Sequence, residues 1–101
     1  MRRAPRIVWS QLSLNRISEI ADYIAQDNAS AAKRWVDSIF AKVKCLQKFP
    51  ESGRVVPETK KSDIRELIHG NYRIIYGVRQ SQIAILTVRH GKQRLPKDEI
   101  T

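Results

Sequence analysis

IRELIHGNYRIIYGVRQSQIAILTVRH, residues Ile64 to His90, contains three strand-like runs separated by two short turn signals. The first run, Ile64 to His69, ends at Gly70-Asn71. The second, Tyr72 to Arg79, ends at Gln80-Ser81, and the third spans Ile83 to Arg89. Runs of this length joined by turns this tight predict a three-stranded antiparallel meander. The second run is dense in Ile, Tyr and Val, side chains that suit a pleated, half-buried surface. Alternation places Tyr72, Ile74, Tyr76 and Val78 on one face and Arg73, Ile75, Gly77 and Arg79 on the other. The first set reads as the core face, which leaves the second as a rigid platform for Arg73 and Arg79. Both parities of the outer runs contain apolar residues, so the pattern leaves open which faces Arg65 and Arg89 occupy.

Upstream, Arg6-Ile7-Val8-Trp9 is short and β-prone, and Ser10 follows as a helix N-cap. From Gln11 to about Gln26, Leu14, Ile17, Ala21 and Ile24 recur at helical spacing with Ile20 beside them. Asp27-Asn28 interrupts the pattern, and Asn28 or Ser30 caps a second helix over Ala31 to Lys48, with Ala32, Trp35, Ile39, Val43 and Leu46 as its apolar stripe. So short a connection makes the pair an antiparallel helical hairpin lying across the sheet, with Trp35 as its large anchor. Phe49-Pro50 ends the helix, and Glu51 to Asp63 reads as a loop. Residues 91–101 are basic, then mixed, and are broken by Gly91 and Pro96. They read as a tail that orders on a partner. The expected fold is α+β in one domain, residues 1–101: a short strand, the hairpin, then the meander.

The chain has 101 residues, 19 Lys and Arg against 10 Asp and Glu, and a formal net charge of +9, which favours acidic or polyanionic partners. A single cysteine, Cys45, cannot form an intramolecular disulfide and fits a reducing cytoplasm. Its place between Val43 and Leu46 reads as core filler. No Cys/His spacing resembles a zinc site, so neither metal nor cofactor is expected. No apolar run has the length of a signal peptide or of a membrane span, so a cytoplasmic, membrane-free protein is expected.

Four segments carry a resemblance: Ile20-Ala21-Asp22-Tyr23-Ile24-Ala25; Leu46-Gln47-Lys48-Phe49-Pro50-Glu51-Ser52-Gly53-Arg54; Ile64-Arg65-Glu66-Leu67 with Tyr72-Arg73-Ile74-Ile75-Tyr76; and Val88-Arg89-His90-Gly91. Together they resemble a RelE/ParE-superfamily toxin of type II toxin-antitoxin modules, in order over nearly the whole chain. The resemblance implies a small α+β fold and a cognate antitoxin, with an acidic tail that wraps the toxin. It also implies one of two activities. RelE-like members cleave messenger RNA in the ribosomal A site, whereas ParE-like members interfere with DNA gyrase and do no known chemistry.

Metal-free RNA cleavage needs a base for the 2′-hydroxyl, cations for the crowded phosphate and an acid for the leaving oxygen. His90 or Glu66 is a candidate base. Arg65, Arg73, Arg79 or Arg89 could hold phosphate, and His90, His69 or Tyr76 could act as acid. The RelE-like alternative would make His90, Arg65, Arg73 and Arg89 its catalytic set. No tyrosine follows His90, however, and the ending His90-Gly91-Lys92-Gln93-Arg94 looks more like the ParE-like branch. There no residue is catalytic, and Arg65, Arg73, Arg79, Arg89, His90, Lys92 and Arg94 are expected to bind antitoxin or target. In the bland readings, Tyr72 and Tyr76 are core, His69 is exposed beside a turn, and Arg65 or Arg73 binds a carboxylate elsewhere in the fold. A member that only binds its antitoxin is a third possibility. A basic nucleic-acid-binding module is disfavoured because the aromatics sit mostly on apolar stripes.

Overall fold

In a computed structural model, which describes residues 4–100, Ser10 caps the first helix as its position predicts. Its Oγ accepts the Ser13 N–H at 3.0 Å and donates to the Leu86 carbonyl at 2.9 Å, so the cap also ties the helix start to a distant strand. The helix, α1, spans Gln11–Ala25 and follows strand β1, Arg6–Trp9. Asn28, not Ser30, caps α2 (Ala29–Lys44) by accepting the Ala31 N–H at 3.0 Å. The last turn tightens to a 3₁₀ turn over Cys45–Gln47.

The meander forms within a residue of its expected bounds: β3 is Ile64–His69, β4 Tyr72–Val78 and β5 Gln82–His90. Gly70 makes the first turn at φ +59°, a conformation open to glycine without steric cost. The sheet is larger than the meander. β1 pairs in parallel with β5, and Arg54–Val55, inside the expected loop, forms β2 against β3, giving the order β1-β5-β4-β3-β2.

Ile74 and Tyr76 of β4 meet Ile17, Ile39, Val43 and Leu46 of the helical layer, as the parity argument requires. Leu67 joins them from β3, and Ile83, Ile85 and Val88 from β5. The β5 set breaks strict alternation because Ile75 faces Thr87 while Tyr76 faces Ile85, leaving Leu86 as the extra residue of a bulge. That bulge is why both parities of the third run look apolar.

The opposite face is not an open platform. Ile75 is fully buried there by Val56, Ile64, Leu95 and Ile100. Residues 95–100 therefore pack on the sheet, where the sequence reading expects a tail; Leu95 and Ile100 cover apolar surface that β4 would otherwise expose, at about 1.5 to 3 kcal/mol for each buried aliphatic side chain. Three local expectations also change. Leu14 is 38% exposed, and Ser13 takes the buried position beside it. Cys45 is exposed and fills no core. Trp35 is half-buried, its ring edge-on to Tyr72 at 5.2 Å.

Tyr76 shows how a buried hydroxyl is satisfied. It donates to the Pro50 carbonyl and accepts the Gly53 N–H, both at 2.9 Å, while burial pushes its pKa up. A Cβ on Gly53 would lie 2.5 Å from the Glu66 carbonyl and 2.6 Å from the Tyr76 hydroxyl, so no larger residue fits. Tyr76→Phe leaves the Gly53 N–H without its acceptor and should lower unfolding free energy by about 1 to 3 kcal/mol in urea titrations with unchanged m. Gly53→Ala should cost at least as much.

Candidate functional site

The register of β4 and β5 sets Arg73 directly opposite Arg89 on the face away from the helices. Like charges facing each other across a strand pair are unfavourable, and each guanidinium is neutralised separately. Arg73, 5% exposed, donates from Nε to Glu66 at 2.6 Å and forks onto both oxygens of Glu58 at 2.9 and 2.8 Å. Glu66 lies beneath it, buried, and also accepts from Arg54. The Arg73 hydrogen bonds hold the Glu58 carboxyl at about 2 against its partial burial, and Arg73 is raised in turn.

Arg89 is bound by the C-terminal segment. Its Nε and Nη2 donate to Glu99 at 3.0 and 2.5 Å, and the same carboxylate accepts from Arg16 of α1 at 2.6 Å and Thr87 Oγ1 at 2.8 Å. Burial works to raise the Glu99 pKa, but the Arg89, Arg16 and Thr87 hydrogen bonds outweigh it and hold the carboxyl at about 2.

Arg65 sits on the other face, opposite Tyr76, where its guanidinium donates to the carbonyls of Ser62, Glu51 and Gly53 and clamps the connector between α2 and β3. His90 shares that face: it pairs with Tyr72, their rings 5.5 Å apart, and its Nδ1 accepts the Lys92 N–H. His69 is not merely exposed; its Nε2 lies 2.8 Å from Ser38 Oγ and links the end of β3 to α2. Arg79 makes an exposed pair with Asp63 at 3.2 Å, a contact worth little. Lys92 and Arg94 are exposed and have no carboxylate partner among the described residues.

The set His90, Arg65, Arg73 and Arg89 is thus split, two residues to each face of the sheet, and the pair that shares a face with the buried Glu66 is already ion-paired. Arg73 and Arg89 serve the fold, so replacing both by Ala should destabilise the domain and is no clean test of binding. Sequence reasoning missed Glu58, Glu99 and Arg16 as partners. Only Glu66 left a trace, as a carboxylate sharing strand parity with Ile64 and Ile68, where a buried charge must be paired.

Two open hollows border these residues. One, about 470 Å³, lies between α1 and the end of the sheet, beside Arg16, Tyr23, Tyr72 and His90. The other, about 440 Å³, lies on the helix-free face, beside Arg54, Ile68, Lys92 and Arg94.

A family model described as "ParE toxin of type II toxin-antitoxin system, parDE" matches residues 7–95. The chain is 40% identical over 93 residues to Y4kP of Sinorhizobium fredii, covering 91% of this chain and 94% of that protein. It is 31% identical over 87 residues to Toxin RelE2 of Caulobacter vibrioides, covering 85% and 94%. A chain of the chromosomal ParDE TA system from P. aeruginosa shares the fold, with a TM-score of 0.72 at 21% identity over 86% of this chain and 96% of that one.

Glu58 and Glu99 have folded pKa values of about 2, below the ordinary 4.5. Each contributes stability that is complete above about 4.5 and is lost as pH falls towards 2. Thermal melts across that window should show an acid limb. Glu99→Gln should lower neutral-pH stability by about 2 to 4 kcal/mol and flatten that limb.

Proposed function

We propose, for a chain that belongs to the ParE toxin family of type II toxin-antitoxin systems, that it acts by binding rather than by chemistry, inhibits DNA gyrase, and is neutralised in the cytoplasm by a cognate acidic antitoxin. One observation carries the reading. The residues that RNA cleavage would require lie on opposite faces of the sheet, and Arg73 and Arg89 are held by Glu58, Glu66 and Glu99. A cleavage site would need guanidiniums free to receive phosphate beside a base free to take a proton. On this reading the cations that meet partners are the accessible ones, Arg79, Lys92 and Arg94, together with His90.

The net charge of +9 supports an acidic partner, since opposite charge steers association and fixes register. No helix among the described residues is long and apolar enough to cross a membrane. A second reading, ribosome-dependent cleavage of messenger RNA, draws on the similarity to a protein named Toxin RelE2.

Two assays run side by side separate the readings: gyrase supercoiling of plasmid DNA, and messenger RNA cleavage on programmed ribosomes, each with an antitoxin-neutralised control. Inhibited supercoiling with intact messenger RNA is the expected result. Cleaved messenger RNA with normal supercoiling would reverse the assignment. Silence in both would mark a member that binds its antitoxin and nothing more.

A further inference from the structure

The helix-free face carries an unmatched charge and an uncovered apolar side chain in the same hollow. Ile68 is 49% exposed although it sits within β3, opposite the buried Arg73. Around it stand Pro57, Arg54, Lys92 and Arg94 in a groove of about 440 Å³. Glu58 and Glu66 are the carboxylates here, and both are bound to Arg73, with Arg54 also on Glu66. Lys92 and Arg94 have no carboxylate partner among the described residues, and the Arg54 side chain is 64% exposed despite its pairing.

We infer that this groove docks a short acidic segment of the antitoxin, with an aliphatic side chain on Ile68 and carboxylates on Lys92 and Arg94. The inference rests on the antitoxin-neutralised reading above and adds the place and the chemistry. Charge complementarity selects an anionic occupant. The Ile68 and Pro57 surface selects a peptide over a nucleic acid, because it offers aliphatic contact and no exposed aromatic ring on which a base could stack. The packed C-terminal segment makes the site a preformed one: Leu95 and Ile100 are buried, and the Leu95 N–H donates to Glu58, so the chain carrying Lys92 and Arg94 is anchored next to the groove.

The test titrates the full chain with a fluorescein-labelled peptide of alternating Glu and Leu, measuring anisotropy. A Glu-Ser peptide and a thymidine oligonucleotide of equal charge serve as comparison ligands. Lys92→Glu with Arg94→Glu, and separately Ile68→Ser, should each weaken the Glu-Leu peptide by about tenfold or more. Lys42→Glu with Lys44→Glu on α2 controls for diffuse charge and should change binding less than about twofold. The groove assignment is overturned if the α2 variant weakens binding as much as the groove variants do. It is equally overturned if the Glu-Ser peptide or the oligonucleotide binds as well as the Glu-Leu peptide, or if that peptide does not bind. Lys92 and Arg94 are exposed, so their variant keeps the test open should Ile68→Ser fail to fold. Peptide binding without gyrase inhibition would spare the groove and sink the gyrase reading; gyrase inhibition without peptide binding would do the reverse.

Discussion

Two arginines that face each other across the central strands impose the main electrostatic constraint on this fold. Arg73 and Arg89 occupy paired positions of β4 and β5 on a face that is largely covered. Two guanidiniums so placed are tolerable only if each finds its own carboxylate inside the fold. Glu58 and Glu66 answer Arg73, one from the connector and one from β3, and Glu99 answers Arg89 from the far end of the chain. Satisfying that requirement brings three remote segments onto one surface.

The C-terminal segment follows from it. Glu99 is held by Arg16, Arg89 and Thr87, while Leu95 and Ile100 on either side close over Ile75. Ionic and apolar contacts reinforce each other here: the aliphatic cover excludes water from the carboxylate, and the paired carboxylate keeps the cover in register. As a result β4 is buried on both faces, an uncommon position for a strand in a domain of this size, and the helical hairpin needs to cover only one of them.

The same arrangement bears on function. A guanidinium locked to two carboxylates cannot also receive a phosphate without breaking a buried network, so the arginines that stand out in the sequence are poor candidates for chemistry. Partner recognition then falls to the accessible cations and apolar side chains around the sheet, where binding does not compete with the fold. Family membership and this division of labour point the same way, towards a toxin that works through contact surfaces.

The sequence by itself determined the local elements and the family. Ser10 and Asn28 cap helices through hydrogen bonds to the N–H groups of Ser13 and Ala31, three residues on. Gly70-Asn71 turns the first hairpin, and the alternation along β4 puts Tyr72, Ile74 and Tyr76 towards the helices. These depend on neighbours within a few residues, which a linear pattern can display. Tertiary structure decided the bulge at Leu86, the parallel docking of β1, the short β2, the packing of residues 95–100 and the division of Arg65, Arg73, Arg89 and His90 between two faces. Each of these joins residues far apart in the chain: the partner that settles where Arg89 points is Glu99, which only the closed sheet brings to it.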